Sequence, residues 1–389
     1  MRRVSVESLR TGDRVGRDVH TRPDLPPLLR RGARISDAYR YSLERANITN
    51  IWIEDDLSEG IEPLEALSDQ TREDAISAIR SVFGEVSGAK GSGTLSQKSI
   101  GQMQDIARRV VADICANAHC ALALNDLANT DGYTMRHSLG VAVLGIALGL
   151  RVIQKYGWVD FRGARQYGEL DERLTMLGVG LLLHDIGKLA IPADVLHKRD
   201  RLTPEELQAV RAHPETGFEM LKQSGVSAVS RAVVRSHHEK WDGTGYPDRK
   251  IGAAIHQFAR IGSVADVFDA LTSDRSYRAA DPPHVGYEYI VSRVGRDFDP
   301  EVVDVFRTSV APHPPGTGVI LSDGYCGVVK EVRPGQVNRP IVRLVLDGSG
   351  KEIQPVEVDL AAHPQLTIVS AGFDPWARPS AAAGVGSGS

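Results

Sequence analysis

The sequence contains little cysteine and no long apolar run, and both absences limit what the chain can be. Its 389 residues include three cysteines, Cys115, Cys120 and Cys326, and none belongs to a CxxC pair. A disulfide framework is therefore not expected, which fits a reducing cytoplasm, and any metal site has to use histidine and carboxylate. The longest apolar runs, 141–150 and 176–183, are far shorter than the roughly 20 residues that span a bilayer and predict buried core helices.

The sequence also lacks a signal-peptide core and any block of basic residues. The N-terminus, MRRVSVESLRTGD, has no apolar stretch, so we expect a cytoplasmic protein without a membrane span. The formal net charge is −4, and lysine and arginine are spread along the chain. A protein that binds nucleic acid polymers needs a basic face to neutralise phosphates. We expect no such partner, whereas a few local cations would be enough for a small phosphate-bearing ligand.

Length and local pattern predict a multidomain protein. Apolar residues recur at three- and four-residue spacing through the central part, as in helices, and Thr203-Pro204-Glu205-Glu206 has the N-cap, N1 and N3 residues of a helix start. Short β-type runs separated by glycine-containing turns follow it. The predicted segments are a small N-terminal α/β or β-rich module (1–70), a helix and Gly/Ser-rich linker (71–97), an all-α domain (98–312), a small β module (313–371) and a disordered tail (372–389).

Histidine and aspartate are concentrated in the predicted all-α domain. Imidazole and carboxylate are ligands for divalent metals such as Fe, Mn, Zn and Co. Seven such groups exceed what one ion needs and fit two ions, about 3.5–4 Å apart, that share a bridging carboxylate and act on a phosphoryl group. The seven candidate ligands are His137, His184, Asp185, His213, His237, His238 and Asp266.

Taken singly, these residues have ordinary structural explanations. A histidine on an apolar helix, such as His137, is more often a hydrogen-bonded core residue, and His213, which precedes a proline, is typical of a helix terminus. The pair His184-Asp185 is harder to explain in this way, because it ends the apolar run 177–183 and buried charges are costly unless they are paired or bind a metal. Together, in one domain, the seven residues favour a metal centre.

Two further motifs are candidates for contact with a phosphate-bearing substrate. The segment 242–247, Asp-Gly-Thr-Gly-Tyr-Pro, predicts a tight turn that presents Tyr246. Arg275 and Arg278 are three residues apart and would form one cationic face suited to phosphate. By themselves, the first motif is also typical of a surface turn, and the second of a solvated helix end that pairs with nearby aspartates.

Four sequence blocks resemble, in order and spacing, the HD-GYP family of cyclic di-GMP phosphodiesterases. They are HDIGK (184–188), HPETG (213–217), HHEKWDGTGYP (237–247) and ARIGSVADVFDALTSDRSYR (259–278). The resemblance covers about residues 125–310. It implies an all-helical HD fold, a metal centre, and hydrolysis of cyclic di-GMP to linear pGpG, with further hydrolysis to GMP left open.

The resemblance also implies a role for each matching residue. The metal ligands would be the seven candidates above, with Asp185 bridging the ions. Lys188 would contact the scissile phosphate and, with Asp185, form the catalytic pair. Tyr246 would line the substrate site, and Arg275 and Arg278 would hold phosphate oxygens. The expected cofactor is two divalent ions per chain, Fe or Mn first, with Zn and Co as the other candidates.

One position departs from the family's pattern. Some members have a glutamate one helical turn before the first ligand histidine, where it helps to bind a third metal. This chain has Tyr133 there, four residues before His137, on the same helix face, and a phenol is a poorer ligand than a carboxylate. We therefore expect a dinuclear centre. Ser276, at a position where members often have proline, is expected to matter little.

Other functions stay open at this stage. The domain could bind cyclic di-GMP without cleaving it, although every ligand position is filled, or it could hydrolyse another cyclic dinucleotide such as cyclic GMP-AMP. A simple HD nucleotidase is disfavoured by the GYP block and the second histidine pair. The oligomeric state is not determined by the sequence; a homodimer is the commonest oligomer of soluble proteins.

Overall fold

The computed structural model describes most of the chain up to residue 372. The exceptions are residues 22–25, 47, 64–65, 89–94, 118–132, 161, 197, 199 and 274–279. Arg275, Ser276 and Arg278 therefore lie outside the described residues, as do the side chain of Tyr133 and the predicted tail from residue 373 onward. The chain divides into two compact units: Met1–Pro63 together with the chain from His313 onward, and Leu64–Pro312.

The N-terminal segment of the first unit is a three-stranded antiparallel sheet with one helix. Burial alternates along its strands, as the period of two requires, and places Val4, Ile51 and Ile53 in a small core with Leu43 of the helix. The strands lie in the order β1-β3-β2. The elements are β1 (Arg2–Ser5), β2 (Arg14–Val15), α1 (Asp37–Arg45) and β3 (Asn50–Glu54).

The second unit is helical except for a two-stranded hairpin among its described residues, which confirms the predicted all-α core domain. The predicted start at Thr203 is a capping box: its side chain accepts from the Glu206 N–H and Pro204 follows it. The elements are α2 (Asp69–Gly88), α3 (Gln97–Ala116), α4 (Tyr133–Tyr156), β4 (Trp158–Val159), β5 (Arg165–Gln166), α5 (Leu170–Leu182), α6 (Ala193–Leu196), α7 (Pro204–Arg211), α8 (His213–Leu221), α9 (Ala228–Ser236), α10 (Gln257–Thr272), α11 (Pro283–Ser292) and α12 (Pro300–Ser309).

The helix α4 forms the centre of the helical unit. By length and composition alone, its 23-residue stretch Thr134–Tyr156 could cross a membrane, but 89% of the apolar window is buried inside the protein. It is the one such helix among the described parts of the chain. A buried core helix has the same composition, and the burial of 141–150 agrees with the core position predicted for that run.

Two glycines on α4 allow α5 to pack very closely against it. Gly145 and Gly149 are four residues apart and face Leu181 and Leu177, which are also four apart, so the two rows lie along matching helix faces. A Cβ atom at Gly149 would lie 2.5 Å from Leu177 Cδ2. Because His184 and Asp185 follow directly after α5, this close contact helps to fix the position of both residues.

The helix α2 belongs to the helical unit, whereas the sequence analysis placed it with the linker at 71–97. Its apolar residues Ile79, Val82 and Phe83 are buried in the same core as those of α3 and α4. Such an apolar stripe needs a partner surface. The Gly/Ser-rich run that follows the helix led us to predict the start of the all-α domain at residue 98, whereas the helical unit starts at Leu64. Residues 89–94 of that run lie outside the described residues.

The C-terminal segment of the first unit is a five-stranded antiparallel sheet, which confirms the small β module. The strand order is β10-β6-β7-β8-β9. The strands β6, β7 and β8 match the β-type runs of the sequence, whereas the edge strand β9 contains a proline, two glutamates and an aspartate and has no clear β pattern. The strands are β6 (Gly318–Leu321), β7 (Cys326–Glu331), β8 (Ile341–Leu346), β9 (Glu352–Asp359) and β10 (Ile368–Ala371).

The N-terminal and C-terminal segments are joined within this first unit. The Arg3 N–H donates to the Gly316 carbonyl at 3.1 Å. The Arg343 guanidinium donates to the carbonyls of Leu57 and Glu59 at 2.9 and 2.6 Å. The sequence analysis treated the two segments as separate modules, because contacts between residues more than 280 positions apart leave no local pattern.

Replacing Gly149 by alanine tests the close packing of α4 against α5. We expect Gly149→Ala to lower the free energy of unfolding by about 1–3 kcal/mol, because the new methyl group overlaps Leu177. The control is Gly101→Ala in α3, where a Cβ meets nothing within 4 Å, and where alanine should stabilise the helix by up to ~1 kcal/mol. The measurement is denaturant unfolding followed by circular dichroism. Equal effects of the two substitutions would contradict the packing.

Candidate metal centre

Five segments of the helical unit bring the seven candidate ligands to one place. His137 lies in the first turns of α4, His184 and Asp185 follow α5, His213 begins α8, the histidine pair follows α9, and Asp266 lies in α10. The ring centroid of His184 lies 5.2 Å from that of His137 and 5.0 Å from that of His237. The residues are buried apart from His238, whose side chain is 24% exposed. The cluster is therefore shielded from solvent on most sides and accessible near His238.

The ligand atoms are close enough to share metal ions. Within each of three groups, one potential ligand atom per residue lies within 4.8 Å of the others. The groups overlap at His184 and His237, so the seven side chains form one continuous cluster. The three groups are His137, His184 and Asp266; His184, Asp185 and His237; and His213, His237 and His238.

Backbone carbonyls set the orientation of three imidazoles. The Nδ1 atoms of His184, His213 and His237 lie 2.7, 2.7 and 2.9 Å from the carbonyl oxygens three residues earlier. A proton on Nδ1 satisfies each contact and leaves the Nε2 lone pair for the cluster. The Nε2 of His184 is buried and has no hydrogen-bond partner among the described residues, and the Nε2 atoms of His213 and His237 are 3.2 Å apart. Such converging lone pairs suit a cation.

His137 is oriented by a residue to which the sequence analysis gave no role. Its Nδ1 lies 2.7 Å from Asp269 Oδ2, and its Nε2 lies 3.1 Å from Asp266 Oδ1. Asp269 is fully buried. A carboxylate behind a metal-binding histidine fixes the ring and raises its basicity. The sequence did contain a signal for Asp269: it lies three residues after Asp266, and this spacing places both carboxylates on one face of α10.

The two oxygens of Asp185 face different histidines. Oδ1 lies 3.3 Å from His213 Nε2, whereas Oδ2 lies 3.5 Å from His184 Nε2 and 3.7 Å from His137 Nε2. Lys188, whose side chain is 27% exposed, donates to Oδ2 at 2.6 Å. Asp185 thus lies between the two parts of the cluster, and the Lys188 ammonium connects it to the surface.

The charges of the cluster suit divalent cations. Burial alone would raise the pKa of Asp185 and Asp266, but Lys188 acting on Asp185, and histidines acting on both, lower each pKa well below its usual range. Burial lowers the pKa of His238 to about 3. Burial also opposes the charge on His137, yet the carboxylates beside it outweigh burial and raise its pKa to about 10. Ionised carboxylates and neutral imidazoles are together the ligand set of Fe, Mn, Zn and Co, so a metal that binds at His137 would displace the proton that its imidazole holds.

A tightly folded loop places Tyr246 at the open side of the cluster. The buried Glu239 carboxylate accepts from the N–H groups of Asp248 and Lys250 at 2.6 and 3.1 Å. Gly245 has no room for a side chain, because a Cβ would lie 2.6 Å from the His238 carbonyl oxygen. The Tyr246 ring consequently lies 4.8 Å from the His238 ring, with its pKa raised by burial, so its hydroxyl remains a donor.

Comparison with known proteins identifies domains in both units. Residues 164–302 match the model of the HD domain, and residues 318–376 match that of a KOW domain associated with the HD domain. The cyclic di-GMP phosphodiesterase PA4108 of Pseudomonas aeruginosa is 35% identical over 273 residues, which are 70% of this chain and 62% of that protein.

Two other relatives match over a shorter region. The cyclic di-GMP phosphodiesterase response regulator RpfG of Xanthomonas campestris pv. campestris is 42% identical over 36% of this chain and 38% of its own length. The 3'3'-cGAMP-specific phosphodiesterase 2 of Vibrio cholerae is 38% identical over 39% of this chain and 30% of its own length. The chain thus spans between 30% and 62% of the length of these three relatives.

Asp269→Asn tests whether the carboxylate behind His137 supports metal binding. We expect metal affinity to fall about 10- to 100-fold, because the amide holds the imidazole less firmly and makes it less basic. The control is Asp304→Asn in α12. The Asp304 carboxylate accepts from Lys155 and Tyr156, which lie at the end of α4 roughly 27 Å from His137 along that helix. The measurement is competition with a metal-binding dye. Equal affinities of the Asp269 variant and the unmodified protein would contradict this role.

Proposed function

We propose that the helical unit, which contains an HD domain, is of the HD-GYP type and that this chain is a metal-dependent phosphodiesterase that hydrolyses cyclic di-GMP to pGpG. The observation that supports this most strongly is the convergence of five imidazoles and two carboxylates, open on the side of Tyr246. Relatives named as cyclic di-GMP phosphodiesterases support the substrate. Further hydrolysis to GMP is a second step that the same centre could perform.

We propose that the centre holds two ions and that Asp185 bridges them. This is supported by the separate directions of its oxygens, with Oδ1 facing His213 and Oδ2 facing His184 and His137. His137, His184 and Asp266 would hold one ion, His213, His237 and His238 the other. The ligand set favours Fe or Mn and also accepts Zn or Co.

The residues of the chain suit hydrolysis of a phosphodiester. When bound, two such ions supply an activated water and offset charge on the phosphate. Lys188 donates from Nζ to Asp185, where it would hold a non-bridging phosphate oxygen and offset the charge that develops during attack. A new P–O bond to water forms as the P–O3′ bond breaks, and the 3′-oxygen takes a proton. Lys188 is a candidate donor for that proton, and the Tyr246 ring lies where the rest of the substrate would enter.

The first experiment is a hydrolysis assay with two cyclic dinucleotides. Protein purified without oxygen and supplied with Fe or Mn is incubated with cyclic di-GMP or with 3'3'-cGAMP, and products are separated by chromatography. Metal-dependent formation of pGpG supports the proposal. Hydrolysis of 3'3'-cGAMP alone would favour the activity named for the Vibrio cholerae relative. Tight binding without any product would indicate a receptor.

Asp185→Ala tests the bridging role directly. We expect turnover to fall by two to three orders of magnitude or more, by analogy with the loss of one charge-stabilising group, because one residue contacts both halves of the cluster. The fold should be retained, as judged by circular dichroism. Asp304→Ala removes a carboxylate that contacts Lys155 and Tyr156 and serves as the control. Hydrolysis at the unmodified rate by the Asp185 variant would refute the assignment.

A further inference from the structure

We propose that Arg211 binds the second, non-scissile phosphate of the cyclic dinucleotide and thereby positions the substrate. The proposal rests on the proposed function and adds a residue that neither the sequence blocks nor the predicted ligands include. It depends on where the Arg211 backbone is fixed, on what its guanidinium contacts, and on its lack of an anionic partner.

The backbone of Arg211 is tied to the metal centre. Arg211 is the last residue of α7 and precedes His213 by two positions. The Nδ1 atom of the His213 imidazole lies 2.7 Å from the Val210 carbonyl oxygen. This hydrogen bond joins the residues on either side of Arg211 and involves a candidate metal ligand. At its other end, α7 is fixed by the capping box at Thr203. The position of Arg211 is therefore set by the same contacts that orient His213.

The Arg211 guanidinium lies over the ring of Tyr246, the aromatic residue on the open side of the cluster. Its Cζ atom is 5.5 Å from the Tyr246 ring centroid, and the Tyr246 ring is in turn 4.8 Å from the His238 ring. Tyr246 thus contacts both His238 of the cluster and the Arg211 guanidinium. A guanidinium that stacks by its face keeps its in-plane N–H donors available for an anion.

Arg211 has no anionic partner among the residues that the structure describes. It forms no hydrogen bond or ion pair there, and it is exposed. Two other arginines of the same unit have carboxylate partners: Arg235 binds Asp248 at 2.8 Å, and Arg260 binds Asp299. A cation at the C-terminal end of a helix also interacts favourably with the helix dipole, but this interaction does not require the contact of Arg211 with Tyr246.

The substrate supplies a matching anion. A cyclic dinucleotide has two phosphates, and the metal ions, Lys188 and the two arginines expected from the sequence, Arg275 and Arg278, would bind the scissile one. The other phosphate needs a cation away from the cluster but beside the substrate, and the planar fork of arginine suits two phosphate oxygens at once. Arg211 is exposed and lies over the Tyr246 ring, which in turn contacts His238 on the open side of the cluster, so its guanidinium is placed to contact the second phosphate of a substrate bound there.

The test compares two substrates that differ in their number of phosphates. Bis(p-nitrophenyl) phosphate has one phosphodiester and measures the chemistry of the centre, whereas cyclic di-GMP also has the second phosphate. We expect Arg211→Ala to raise KM for cyclic di-GMP about tenfold, with a smaller change in kcat. The ratio of kcat/KM for cyclic di-GMP to that for the small diester should fall by a similar factor, and Arg211→Lys should recover part of it.

The control and the contradicting results are separate from those of the proposed function. Lys222→Ala removes an exposed cation at the opposite end of α8 from His213 and should leave the ratio unchanged. An unchanged KM in Arg211→Ala, or equal losses on both substrates, would overturn the proposal. If the unmodified protein hydrolyses the small diester but no cyclic dinucleotide, the proposed function itself is wrong and the role of Arg211 falls with it.

Discussion

The structure of the helical unit depends on one electrostatic constraint, the presence of two buried carboxylates among five imidazoles. Asp185 and Asp266 lie where apolar helices otherwise meet, and ionised groups in such surroundings are costly unless they are compensated. His137 and Lys188 supply part of this compensation. Divalent cations would supply the rest, because the remaining imidazole lone pairs converge on the same space.

The surrounding structure keeps these groups from relaxing apart. Carbonyls one turn earlier hold three imidazoles, Asp269 holds a fourth, and the glycines of α4 bring α5 close enough to fix Asp185. On the open side, Glu239 folds the loop that brings Tyr246 onto His238. The apolar core thus acts as the rigid support for a polar site, and substrate contacts are confined to one exposed edge.

The candidate metal ligands could be predicted from the sequence, whereas the residues that hold them in place could not. The α7 start was predictable because capping is local, and the seven candidate ligands could be named because their chemistry and order are distinctive. Asp269, Glu239 and Arg211 were not predicted, because their roles depend on partners that lie between 9 and 132 positions away in the chain. The joining of the two terminal segments into one unit was missed for the same reason: it depends on contacts such as those of Arg343.

The number of tightly bound metal ions tests the account most directly. The protein is purified without oxygen, dialysed against metal-free buffer, and its metals are counted per chain by elemental analysis. We expect two ions in the unmodified protein, because Asp185 faces two sets of histidines and Tyr133 stands where the family resemblance places a carboxylate ligand of a third ion. Three tightly bound ions, or a single one, would contradict it.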